Sequence, residues 1–131
     1  MASIFDIAGS AMNAQMLRLN TTASNMANAD SVSTTEAGAY RARQTVFATV
    51  MTDAASGPVA VPEIVESQTP VPKRYEPGNP MADADGYIYA SNVNAVEEMA
   101  NMISASRSYQ SNAEVFNTTK SLMLRTLQLG Q

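Results

Sequence analysis

From Asn92 to Leu129 the chain runs 38 residues without a glycine or a proline. No other stretch constrains the fold as strongly, because nothing in it ends a helix and as one helix it measures about 57 Å. Asn92 or Asn94 can cap its start, and Glu97-Glu98 favour the first turn through the helix dipole. Arg125 carries the matching sign near the other end, and Gly130 stops the helix. Met99, Met102, Ser106, Tyr109, Ala113, Phe116, Lys120, Met123 and Leu127 step by three and four, forming one helical stripe.

A second helix is expected at the other extremity. Ser3 to Asn28 holds no proline and one glycine, Gly9. Phe5, Ala8, Met12, Met16, Leu19, Ala23 and Met26 make its stripe, and the strict seven-residue spacing of Phe5, Met12, Leu19 and Met26 fits a coiled-coil seam. The companion positions Ala8, Gln15 and Thr22 are weak, so the seam is narrow.

All six prolines fall between these helices. Alternation over Thr45–Met51 predicts a strand, with shorter runs at Val59-Ala60-Val61, Ile64-Val65 and Gly86-Tyr87-Ile88-Tyr89. Prolines at 58, 62, 70, 72, 77 and 80 are expected to break these runs. The fold class is therefore mainly α. Long N- and C-terminal helices pair as a coiled coil, and a small irregular β-containing segment lies between them. The divisions fall at 1–35, 36–91 and 92–131, with both helices in one domain.

Charge is distributed unevenly. Residues 1–35 carry only Asp6, Arg18 and Asp30, residues 36–91 carry eleven charged side chains, and residues 92–131 carry six. Protein interfaces exclude charge from their centres, so the depleted ends are expected to be covered by protein. Asparagine, serine and threonine are frequent in both helices and are poor helix formers. A two-helix pair of this quality is marginal in water, and the termini are expected to order as they pack against other subunits.

Several function classes fall away. The absence of histidine and cysteine removes the commonest general base, thiolate sites and disulfides. A net charge of −4 argues against nucleic acid as a partner. No apolar run is long enough to span a bilayer, and the first fifteen residues lack the pattern of a cleaved secretory signal. Met81–Asn92 matches positions 3, 5 and 6 of a calcium loop through Asp83, Asp85 and Gly86. Positions 1 and 12 hold Met81 and Asn92 instead of carboxylates. An Asx turn is the better reading, and no metal or other cofactor is expected. Glu97 and Glu98 are adjacent on a helix and do not face each other, so they are read as charge compensation rather than a catalytic pair. Tyr40-Arg41-Ala42-Arg43 reads as a solvated basic stretch or a contact for an acidic neighbour. Lys120 can pack its stem or pair with Glu114 or a partner's acid. Nine methionines, six of them in the helical parts, serve either as core filler or as an adaptable interface.

The stretch TTASNMANAD, residues 21–30, is the least like an ordinary helix, with small residues, asparagines three apart and one terminal acid. Its S-N-M-A-N-A-D, followed by Y-R at 40–41, resembles the N-terminal signature of the bacterial flagellar axial proteins of rod and hook. Residues 91–120, S-N-V-N-A-V-E-E-M-A-N-M-I-S-A-S-R-S-Y-Q-S-N-A-E-V-F-N-T-T-K, resemble their C-terminal signature. I-F-D-I-A-G-S-A at 4–11, Y-E-P-G-N-P-M-A-D-A-D-G-Y at 75–87 and the ending T-L-Q-L-G-Q narrow the likeness to proximal rod members. The short middle segment agrees, since distal rod and hook members carry longer inserts. The family's common T-P-G-Y turn is replaced here by T-T-E-A-G-A-Y.

The resemblance implies a non-enzymatic structural subunit without cofactors. It would pack with other copies of itself, neighbouring rod proteins and the rod base at the membrane ring, in the periplasm-spanning rod of the basal body. It would leave the cell through the flagellar type III export apparatus without a cleaved signal. The expected subunit-interface residues are Phe5, Met12, Leu19, Asn25, Met26, Asn28, Met99, Met102, Ile103, Arg107, Tyr109, Gln110, Asn112, Phe116, Met123 and Leu127. Ala23, Ala27 and Ala29 would admit close backbones, while Asn25 and Asn28 would satisfy buried backbone groups or bond across an interface. The rival expectation is a free-standing helical adaptor that dimerises through an ordinary coiled coil.

Overall fold

The computed structural model describes residues 3–52 and 55–131, and the side chains among these outside 51–56, 61 and 62. Helix α1 spans Ile4–Ala27 and helix α2 spans Ala95–Leu129, of 24 and 35 residues. Between them lie β1 (Val32–Ser33), β2 (Arg43–Thr52), β3 (Ala55–Glu66), β4 (Lys73–Tyr75) and β5 (Tyr87–Ala90). Two long helices with a small β segment between them is the architecture expected.

The caps account for the helix limits. Ser3 and Asp6 form a capping box: the Ser3 backbone N–H and hydroxyl donate to the Asp6 carboxylate at 3.1 and 2.9 Å, and the Asp6 N–H donates to Ser3 Oγ. Those two donors, backbone first, hold the Asp6 carboxyl below its ordinary value. A lowered folded value means the cap contributes above the ordinary carboxylate range and is lost as pH falls through the Asp6 value. Acidification is expected to weaken the helical chemical shifts of residues 4–7, and Asp6→Asn to abolish that dependence. At α2, the Asn94 side chain accepts from the N–H groups of Val96 and Glu97, selecting it over Asn92 as the cap. Gly130 closes the helix.

The helices lie antiparallel. Phe5 meets Phe116 edge to face with centroids 4.9 Å apart, and Arg18 donates to Asn101 Oδ1 at 3.1 Å. Ala8, Ala14 and Ala105 are buried, and their small side chains let the elements approach closely. The weak companion positions are thus the packed ones, since Ala8 and Thr22 are buried while Met16 is exposed.

β1, β5 and β4 form an antiparallel sheet in that order, with Ile88 of β5 fully buried. The short β1 and β4 carried no strand signal. β2 and β3 form a separate two-stranded ribbon. The expectation that proline breaks these runs is corrected here, because β3 continues through Pro58 and Pro62. Register shifts fall between Val46/Ala48 and Thr49/Met51, where the partner residues jump from Glu63 to Ala60 and from Val59 to Ser56. Each proline lies inside one of those jumps, where its missing N–H disrupts no ladder bond. The Asx turn at 83–87 forms as read, with Asp83 Oδ1 accepting from the N–H groups of Asp85 and Tyr87, both at 2.9 Å. Gly86 takes φ +85° there, against Tyr75 and Pro77.

The core is thin. Among the described residues the buried apolar side chains are Ala8, Ala14, Ala39, Ala42, Val71, Ile88 and Ala105. The chain exposes 8762 Å², against about 6,700 Å² for a compact monomer of 13.9 kDa. Much apolar surface is left for something else to cover.

Candidate assembly interface

Two asparagines, each preceded by serine, clamp the middle segment to the helices. Asn25 Oδ1 accepts from the Tyr40 hydroxyl and the Arg43 N–H, both at 2.9 Å, and its Nδ2 donates to the Arg43 carbonyl at 2.8 Å. Asn92 Oδ1 accepts from the Ala42 N–H at 2.6 Å, and its Nδ2 donates to the Thr69 carbonyl at 2.9 Å. Ser91 Oγ donates to the Ala29 carbonyl. Of the two roles expected for Asn25, the structure assigns satisfaction of backbone groups within its own chain, because the residue is only 1% exposed and both the oxygen and the nitrogen of its amide bond to Arg43. Asn28 caps α1 and returns its amide to the Ser24 carbonyl.

The solvated reading of the basic stretch 40–43 holds for Arg43, whose side chain is exposed, and is corrected for Arg41. Arg41 donates to the carbonyls of Ser67 and Thr69, so it ties the chain together rather than facing water or an acid. Sequence reading missed this clamp. The repeated S-N pair at 24–25 and 91–92, each just outside the β segment, was the available signal.

The other expected interface residues divide by exposure. Phe5, Met12, Leu19, Met26, Met102, Tyr109, Asn112 and Phe116 are half-buried. Asn112 returns its amide to the Ser108 carbonyl. Met99, Ile103, Arg107, Gln110, Met123 and Leu127 are exposed. Val96, Met99 and Ile103 step by three and four, and Arg107 and Gln110 continue the same exposed face of α2.

The end of α2 is barest. Phe5, one residue into α1, already lies opposite Phe116, so residues 120–129 project past the start of α1 by about 15 Å. Every residue from 120 to 131 is exposed. Leu122, Met123, Leu124, Leu127 and Leu129 are among them, reaching 88% at Leu129. At 100° per residue they cover more than half of the helix circumference, a pattern belonging to helices surrounded by protein. Lys120 lies here and forms no ion pair with Glu114.

Where α1, the ribbon and α2 meet, three clefts run side by side. One of about 370 Å³ is lined by Arg18, Thr21, Thr22, Arg43, Gln44, Thr45, Phe47, Glu97, Glu98 and Asn101. A second, about 240 Å³, is lined by Ala11, Ala14, Gln15, Phe47, Ala48, Thr49 and Val59. A third, about 260 Å³, continues past Val59 along Ser10, Asn13, Ala14 and Leu17. The threonine hydroxyls and the glutamates of the first cleft share no hydrogen bond, and no group of three metal-ligating residues occurs among the described residues.

An exposed apolar helix end beside open clefts is surface of the kind that contact with other protein covers. The likeness to known proteins agrees. Residues 5–33 match the family described as "Flagella basal body rod protein", and residues 84–129 match "Flagellar basal body rod FlgEFG protein C-terminal". The flagellar basal-body rod protein FlgC of Escherichia coli O157:H7 is 58% identical over 130 residues, covering 98% of this chain and 97% of that protein. FlgC of Salmonella typhimurium is 57% identical over 133 residues, with the same coverage. The chain belongs to the FlgC family of flagellar basal-body rod proteins. A more distant FlgC, from Buchnera aphidicola of Acyrthosiphon pisum, is 45% identical over 132 residues. The two matched segments hold α1 with its S-N-M-A-N-A-D, and β5 with α2. The two family models thus cover the two helices, β1 and β5, while the FlgC relatives align along nearly the whole chain.

Proposed function

We propose that this chain is a structural subunit of the flagellar proximal rod, in the basal body. Its terminal helices pair as a coiled coil and become fully ordered as the subunit adds to other copies, neighbouring rod proteins and the rod base at the membrane ring. Passage through the flagellar type III export apparatus and a place in the periplasm-spanning rod belong to the same reading. The role is mechanical: helices packed side by side form a stiff wall that carries torque.

The observation that carries this is the projecting end of α2. Five large apolar side chains on ten exposed residues would be an aggregation liability on a finished monomer. In a wall of helices they become the core. The thin alanine core, the exposed Val96–Met99–Ile103 face and the heptad spacing of α1 support the same conclusion. Membership of the FlgC family gives no support to a free-standing adaptor.

The test is Leu124→Glu with Leu127→Glu, in a flagellated bacterium lacking its own copy of the gene. Both side chains stand in solvent, so the stability of the purified chain is expected to change by less than about 1 kcal/mol. Basal bodies are expected to lack the variant, and the cells not to swim. Normal swimming would overturn the reading.

A further inference from the structure

We draw no further inference here: the strongest candidate, the surface patch on β4 and β5 where Lys73 Nζ lies 4.2 Å from the Tyr87 ring centroid beside the exposed Tyr75, carries nothing because nothing in the structure shows what covers it.

Discussion

Ile88→Ala is expected to lower the stability of the folded chain by about 3–4 kcal/mol, the range for a large aliphatic side chain removed from a closed site. Ile88 is fully buried in β5, between β1 and β4, and apart from Val71 the other buried apolar residues described are alanines. A core with one isoleucine has little else to collapse into the space. For a chain of 131 residues the loss corresponds to a melting temperature lower by roughly 10 °C. Urea unfolding followed by tyrosine fluorescence measures it, since the chain has no tryptophan, Tyr87 and Tyr89 flank Ile88 in β5, and Tyr75 pairs with Tyr87. Ile103→Ala provides the contrast. That side chain is more than half exposed, and its removal is expected to cost less than about 1 kcal/mol. Equal effects from the two would mean that the small sheet does not hold the middle of the molecule.

Asn25→Ala is expected to cost about 3 kcal/mol by a different route. The substitution takes the partner of the Arg43 N–H and carbonyl away where they meet the buried Asn25 amide, each bond worth about 1–3 kcal/mol. The Tyr40 hydroxyl loses less, because Ser24 Oγ lies 3.4 Å away and can re-pair with it. Loss of amide-exchange protection at Arg43, together with a lowered urea midpoint, is the signature. Asn28→Ala removes one exposed bond to the Ser24 carbonyl and is expected to cost under about 1 kcal/mol. If the two variants were equally stable, Asn25 would not be the clamp described here. The pair also separates the two asparagines of TTASNMANAD, one a buried bracket and the other a helix cap.

The legible parts of this molecule are those governed by local chemistry. Ser3, Asn94 and Gly130 set helix ends through their own caps, and Asp83 shapes the 83–87 turn with its own carboxylate. Each outcome depends on residues within four positions of one another. Low charge at the two ends was also readable, and it pointed to helices covered by protein. The stripe residues were identified, but not which of them the chain keeps for itself. Phe5 and Phe116 meet within one molecule, whereas Met123 and Leu127, on the same heptad track as Phe116, have no α1 left to meet.

By itself the sequence determined two long helices, their ends to within a few residues, and a proline-rich β segment between them. Only the tertiary structure decided the remainder. It placed Asn25 against Arg43 and Asn92 against Ala42, 18 and 50 residues away. It carried β3 through two prolines by placing them in register shifts, and it sheeted the two-residue β1 against β5. The reason is physical. Caps and turns are paired by neighbours along the chain, while clamps, bulges and exposed helix ends depend on which distant groups are left to pair with.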